Sequence, residues 1–155
     1  MKSAIAGLIV LLMASAAFAQ DDSLTGVYKY KYGKYRKGTI VFVETKEGNA
    51  QFTIYSDTYI PPVEDDLGMC FVGNSELQDG EWKDKPKVAA KVNDTEYVFK
   101  EEHNGKNEVS IIIFDFSKKG AVTVTSTNCP HFYCATEGGE IDGTYKKTSD
   151  KASFE

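Results

Sequence analysis

The stretch "GVYKYKY", from Gly26 to Tyr32, decides the fold. Tyrosine and lysine alternate along it, so one face of an extended chain is aromatic and the other is basic. Such alternation is typical of a half-buried β-strand. A similar stretch, "GTYKK", begins at Gly143 near the other end of the chain. If these two end strands pair, the sheet loses both edges, which favours a closed barrel over a sandwich.

The chain between these ends also has the pattern of short strands. Val, Ile, Thr, Tyr and Phe come in alternating or short continuous runs, with turn residues between them. Short gaps between successive strands predict antiparallel hairpins. We therefore predict an all-β fold, an antiparallel up-and-down meander of about eight to nine strands that forms a closed or nearly closed barrel. The predicted strands are Val27–Tyr32, Thr39–Glu44, Ala50–Ser56, Gly68–Val72, Lys87–Asn93, Thr95–Glu101, Val109–Phe116, Ala121–Thr127 and Gly143–Lys147.

The chain begins with a segment typical of a secretory signal peptide. A charged start is followed by the apolar run Ile5–Met13 and by small residues that end at Ala19. We predict that residues 1–19 are a signal peptide, that residues 20–147 form one β-barrel domain, and that residues 148–155 are a flexible tail. Cleavage near Ala19 predicts a periplasmic or secreted protein, whose cysteines meet an oxidising environment.

Two of the three cysteines, Cys129 and Cys134, stand five positions apart around the sequence "PHFY". Export and this short separation predict a disulfide bond between them. Cys70 is then left over, either as a small buried thiol or as a cysteine that pairs between chains or competes for the other two. A zinc site is disfavoured because this loop supplies only three ligands, where structural zinc takes four. This disulfide bond would hold the loop so that its aromatic side chains face a partner, unless the same side chains plug the barrel. These side chains are His131, Phe132 and Tyr133.

The segment from Leu24 to Thr39 carries five basic residues and no acidic one, in a chain whose formal net charge is −5 at pH 7. An acidic chain is a poor general binder of nucleic acid, because phosphate contacts need clustered lysine and arginine. The basic segment is typical of a strand with a solvated outer face. A sharper interpretation is a basic ribbon that meets a protein partner with an acidic cleft. The ribbon residues are Lys29, Lys31, Lys34, Arg36 and Lys37.

Two longer loops are predicted at Asp57–Leu67 and Asn74–Pro86, and loops on a rigid scaffold often hold contacts. The sequence contains none of the nucleophile-elbow, phosphate-loop or metalloprotease motifs that mark common enzyme classes. We therefore predict a non-enzymatic binding protein that uses no cofactor.

Several short features resemble small exported bacterial β-barrel proteins, including periplasmic lysozyme inhibitors with a calycin-like barrel. The features are a cysteine after a glycine turn (Gly68-Met69-Cys70), the late pair Cys129 and Cys134, and the closing Asp142-Gly143-Thr144-Tyr145-Lys146. The resemblance covers most of the chain after residue 19. It implies a barrel fold, a periplasmic location and a lysozyme-like hydrolase as the partner.

Members of this family often carry a further cysteine on the strand before the last hairpin. Val109 and Ser110 occupy that place here. The lysozyme inhibitors also carry a Ser-Gly-x-Tyr loop, which Thr25-Gly26-Val27-Tyr28 and Asp142-Gly143-Thr144-Tyr145 approximate.

Two functional classes stay open from the sequence. One is a protein-binding module, with lysozyme inhibition as its most concrete form, and the other is a lipocalin-like carrier of a small lipophilic ligand. The size of the interior side chains distinguishes them, because a filled barrel has little room for cargo. The residues expected to fill the barrel are Phe42, Phe52, Ile54, Phe99, Ile111 and Ile113.

Overall fold

The computed structural model describes residues 23–32, 36–59, 67–103, 108–135 and 139–154. The predicted signal peptide, Lys34 and residues 60–66 of the first predicted loop lie outside the described residues. The described residues form eleven strands and one short helix. These are β1 (Gly26–Tyr32), β2 (Arg36–Glu44), β3 (Ala50–Tyr59), β4 (Leu67–Val72), β5 (Asn74–Gln78), β6 (Glu81–Lys85), β7 (Lys87–Lys91), β8 (Glu96–His103), β9 (Glu108–Asp115), β10 (Ala121–Thr127), α1 (Cys129–Tyr133) and β11 (Gly143–Ser149).

Eight strands form a closed antiparallel barrel, in the order β1, β2, β3, β7, β8, β9, β10 and β11. The ring closes between the two ends of the chain, where Tyr28 lies opposite Lys147 and Lys29 lies opposite Lys146. The prediction of an all-β barrel is therefore confirmed. β11 extends through Ser149, so residues 148 and 149, which were assigned to the tail, belong to the barrel wall.

The repeated Gly-x-Tyr motif has the same role in both end strands. The Tyr28 hydroxyl donates a hydrogen bond to the carbonyl oxygen of Leu24, and the Tyr145 hydroxyl donates one to the carbonyl oxygen of Ile141, each at 2.6 Å. Each ring thus points into the barrel and fixes the segment that enters its own strand. The glycine at position 143 is required by a φ of +152° and by the Tyr30 ring, which would lie 3.2 Å from an added Cβ.

The barrel interior is filled by aromatic rings in mutual contact. The Phe42 ring centroid lies 5.2 Å from that of Tyr97, 5.5 Å from that of Phe114 and 4.8 Å from that of Phe116. Phe52 packs edge to face on Phe114 at 4.7 Å. Such contacts stabilise the fold beyond the burial of apolar area alone.

The prediction that Ile111 and Ile113 fill the barrel is wrong. β9 alternates in the other phase, so that Ser110, Ile112 and Phe114 are buried and point inward. The run "SIIIFDF" is apolar on both faces near its centre, and only the register with neighbouring strands decides which face is internal.

β4 lies outside the ring because β3 changes partners along one edge. Residues 50–52 of β3 pair with β7, whereas residues 54–59 pair with β4. β7 in turn pairs with β8 only at Val98 and Tyr97. Between β4 and the second half of β8, α1 joins the two strands: its side chains contact β8, and Cys134, the residue after it, is bonded to Cys70 on β4. No helix in the described part of the chain is long and apolar enough to cross a membrane.

The prediction of a loop over Asn74–Pro86 is wrong for most of its length. β5 and β6 form a separate two-stranded hairpin there. Its turn places Asp79 at φ 52° and Gly80 at φ 83°. Two successive positive φ values characterise the tight hairpin turn that Asp-Gly sequences favour.

The predicted disulfide bond between Cys129 and Cys134 is also wrong. Cys134 is bonded to Cys70 on β4, and Cys129 is a buried free thiol. Cys129 begins α1, and five steps along an α-helix advance the chain by about 7.5 Å, beyond the usual Cα separation of about 4.4–6.8 Å in a disulfide. Cys134 leaves the helix in an extended conformation and forms a β-bridge with Cys70.

We expect Cys129 to be the one cysteine that is alkylated when the protein is unfolded without reductant. In the folded protein the thiol should react slowly, because burial raises its pKa to about 11. Treatment with iodoacetamide in guanidinium, followed by peptide mass mapping, measures the position of the label. A label on Cys70 would contradict the observed pairing, and the Cys129→Ser variant should carry no label.

Candidate functional site

The strand register places lysines of β1, β2 and β11 side by side on the outer surface of the barrel. Lys31 lies directly opposite Lys37, and Lys29 lies directly opposite Lys146. All four residues are exposed. We call these four residues the lysine face. Lys34, which the sequence placed in the same ribbon, lies outside the described residues.

The lysine face holds like charges close together with little internal compensation. Like charges directly opposite each other on neighbouring strands are destabilising. Lys37 forms an ion pair of 3.3 Å with Asp57 on β3. Within the part of the chain that the structure describes, Lys29, Lys31 and Lys146 form no ion pair. An anionic partner would therefore relieve a repulsion that the free protein carries.

Arg36 does not lie with the lysine face. Because side chains alternate along β2, Arg36 points to the inner side of the barrel, and its side chain is only 15 % exposed. Its guanidinium lies 5.2 Å from the centroid of the Tyr30 ring and 2.8 Å from a carboxylate oxygen of Glu140. It also donates a hydrogen bond to the carbonyl oxygen of Asp142. The structure thus separates Arg36 from the predicted ribbon and gives it a role in closing one end of the barrel.

The aromatic residues of α1 close the same end. Phe132 stacks on His103, with ring centroids 3.5 Å apart and an interplanar angle of 9°. Tyr133 donates a hydrogen bond to the Glu101 carboxylate. His131 is exposed, whereas Phe132 and Tyr133 are half-buried against the barrel. The two aromatic residues therefore form a plug over this end of the barrel, and His131 is the side chain of α1 most open to a partner.

A polar network lies beneath α1. The Glu101 carboxylate accepts hydrogen bonds from the Lys87 ammonium, at 2.8 Å, and from the Tyr133 hydroxyl. Burial acts to raise the pKa of Glu101, but these two hydrogen bonds, together with the positive charges of Lys87 and His103, hold the pKa below its usual value. Burial and the same carboxylate raise the pKa of Tyr133. The contacts join α1 to β8 and fix the plug in place.

Two further polar side chains at this end form local hydrogen bonds. The Cys129 thiol lies 3.4 Å from the carbonyl oxygen of Ile111 and 3.6 Å from that of Thr127. The His103 ring lies 2.8 Å from the Ser110 hydroxyl. A thiol with a pKa of about 11 is protonated at neutral pH and is a poor nucleophile. The geometry of this cluster indicates a structural role, in which its contacts close the α1 end of the barrel.

Comparison of the chain with known protein families, with curated proteins and with solved structures gives no match in any of the three. The candidate site rests on geometry and charge.

Lys146 is a member of the lysine face that the sequence analysis missed. The signal was present, because the motif Gly-x-Tyr-Lys occurs at both ends of the chain. Pairing of the end strands brings the lysine of one motif beside the lysine of the other, Lys29.

We expect Glu101→Gln to lower the free energy of unfolding at pH 7 by about 1–3 kcal/mol, because the variant loses a charge-assisted hydrogen bond to the half-buried Lys87. The folded-state pKa of Glu101 is lowered, so its stabilising contribution is present above the usual value of 4.5 and is lost as the pH falls through the folded-state pKa. Urea denaturation of both proteins between pH 7 and pH 3 measures the difference, which should shrink below about pH 4.5.

The matched control for this prediction is Glu102→Gln, one residue along β8 on the exposed outer face. It should change the stability little. Equal losses in the two variants, or a difference from the wild type that does not depend on pH, would contradict the role of Glu101.

Proposed function

We propose that this protein is an exported, non-enzymatic binding protein that captures and inhibits a lysozyme-like hydrolase. The observation that carries the proposal is the lysine face, a cluster of in-register cations on a chain whose net charge is −5. Its natural complement is a partner that offers carboxylates from a cleft within a basic surface.

Lysozymes have this charge arrangement. The enzyme is basic, and its cleft carries two catalytic carboxyl groups. The lysine face would engage the cleft, and the acidic remainder of the barrel would meet the basic rim. Opposite rim charges mainly raise the association rate, while the buried contact sets the dissociation rate. The periplasmic or secreted location predicted from residues 1–19 would place the protein where lysozymes attack.

The filled interior favours this binding role over the lipocalin-like carrier. A lipophilic ligand inside the barrel would have to displace the rings of Phe42, Phe52 and Phe114, which contact one another and are fully buried. The α1 end is in addition covered by Phe132 and Tyr133. The outer surface is therefore the better candidate for recognition.

α1 offers a second contact surface, at the end of the barrel that it covers. His131 is exposed, whereas Phe132 and Tyr133 are committed to packing against His103 and Glu101. A contribution of α1 to the partner contact would thus come from His131. Changing Tyr133 would act through the stability of the plug.

We expect the protein to slow cell-wall lysis by at least one lysozyme, and to do so less at high salt, because screening weakens contacts between exposed charges. Conversion of all four residues of the lysine face to glutamate should weaken inhibition about tenfold or more. Turbidity of a cell-wall suspension over a range of protein concentrations measures the effect. The four residues are Lys29, Lys31, Lys37 and Lys146.

The control variant changes the net charge by the same amount at four other exposed lysines. It should keep the inhibition, because these lysines lie away from the lysine face. Equal loss in both variants would show that net charge alone matters. No protection at micromolar protein against chicken-type, goose-type or invertebrate-type lysozyme would overturn the proposal. The control lysines are Lys46, Lys83, Lys100 and Lys151.

A further inference from the structure

A groove of about 400 Å³ lies at the barrel end opposite α1. This volume falls in the range of small-molecule sites, which begins at about 300 Å³. The floor of the groove is apolar and the rim is cationic. The floor is lined by Leu24, Tyr28, Phe116 and Ala121, and the charged lining residues are Lys118, Lys119, Lys147 and Asp150.

The most enclosed charge in the groove is the ammonium of Lys147. Its side chain is only 17 % exposed, and the ammonium donates hydrogen bonds of 2.8 Å to the carboxylate of Asp150 and to the carbonyl oxygen of Ser23. It also lies 6.0 Å from the centroid of the Tyr28 ring. A cation is thus held at the edge of an aromatic floor, with a carboxylate as its partner.

That carboxylate comes from a residue that is itself almost fully exposed. The Asp150 side chain is 86 % exposed and lies just after the end of β11. An ion pair with one such partner contributes little to stability. The Asp150 carboxylate therefore marks a position where a carboxylate fits against Lys147. Because Asp150 is so exposed, a ligand readily displaces its carboxylate.

We propose that the groove binds a small amphiphilic carboxylate, whose anionic group replaces that of Asp150 on Lys147 and whose apolar part lies along Leu24, Tyr28 and Phe116. Lys118 supplies a second cation on the rim. The turn that carries it bends at Gly120, which has a φ of +71° and itself lines the groove. The lining residues exclude the lysine face, so this site is independent of the proposed inhibition.

Isothermal titration calorimetry of the protein with decanoate tests the site. We expect saturable binding of one decanoate per protein, and binding of decanol at least tenfold weaker, because decanol lacks the carboxylate. Amide chemical shifts should change around Gly120 and Lys147. Absence of saturable binding, or equal binding of decanol, would overturn the proposal.

Removal of the competing carboxylate gives the most specific result. Asp150→Asn should bind decanoate about threefold more tightly, because the ligand no longer has to displace an internal anion. The matched control is Asp94→Asn, which removes the exposed partner of the Lys91 ion pair with the same three-residue spacing. The control should leave the affinity unchanged. Equal effects of the two substitutions, or weaker binding by Asp150→Asn, would contradict the competition.

Loss of the enclosed cation should have the opposite effect. Lys147→Met should weaken decanoate binding at least tenfold and leave the weak binding of decanol as it is. If this variant does not fold, Lys118→Gln should weaken decanoate binding about threefold without affecting decanol. Full decanoate affinity in a folded Lys147→Met protein would overturn the assignment.

Discussion

The pairing of β1 with β11 is the contact on which the rest of the structure depends. An antiparallel meander without it would be an open sheet with two unpaired edges, each a template for association with other chains. Closure joins the two ends of the chain, and it buries Tyr28 and Tyr145 inside the ring. Each hydroxyl is then satisfied by the carbonyl oxygen four residues earlier, so the buried rings carry no unpaired donor. The same closure completes the lysine face, because it brings Lys146 beside Lys29.

The two barrel ends are completed in different ways. At one end, β3 changes partners from β7 to β4, and α1 connects the diverging strands. Its attachments are a covalent bond from Cys134 to Cys70, a hydrogen bond from Tyr133 to Glu101 and a ring stack on His103. A covalent link over 64 positions restricts the unfolded chain strongly. At the other end, the groove that Lys147 lines takes the place of a plug.

The sequence predicts the parts of this structure that follow from local pattern. Period-two alternation locates the nine predicted strands, and the repeated Gly-x-Tyr-Lys motif indicates closure between the chain ends. The partner of Cys134 could not be predicted in this way, because it depends on where β3 changes neighbours. The inner face of β9 is ambiguous for a similar reason, since Ile111, Ile112 and Ile113 are alike.

The residues of the candidate site also fall into two groups, those that the local pattern predicts and those that depend on the pairing of distant strands. Alternation alone places Lys29 and Lys31 on one outer face, whereas Arg36 shares a face with Tyr32, directly opposite it. The addition of Lys146 requires the register between strands that are more than a hundred positions apart in the chain. The full set of four lysines therefore depends on closure of the barrel, and amino-acid composition alone does not reveal it.

The most direct test of this account is a nuclear Overhauser measurement on the folded protein. Closure in the observed register predicts a cross-peak between backbone protons of Lys29 and Lys146, in addition to one between Lys31 and Lys37 that reports only the β1–β2 hairpin. The presence of both cross-peaks supports the closed barrel and the lysine face together. A spectrum that contains the hairpin cross-peak but no contact between β1 and β11 would contradict both.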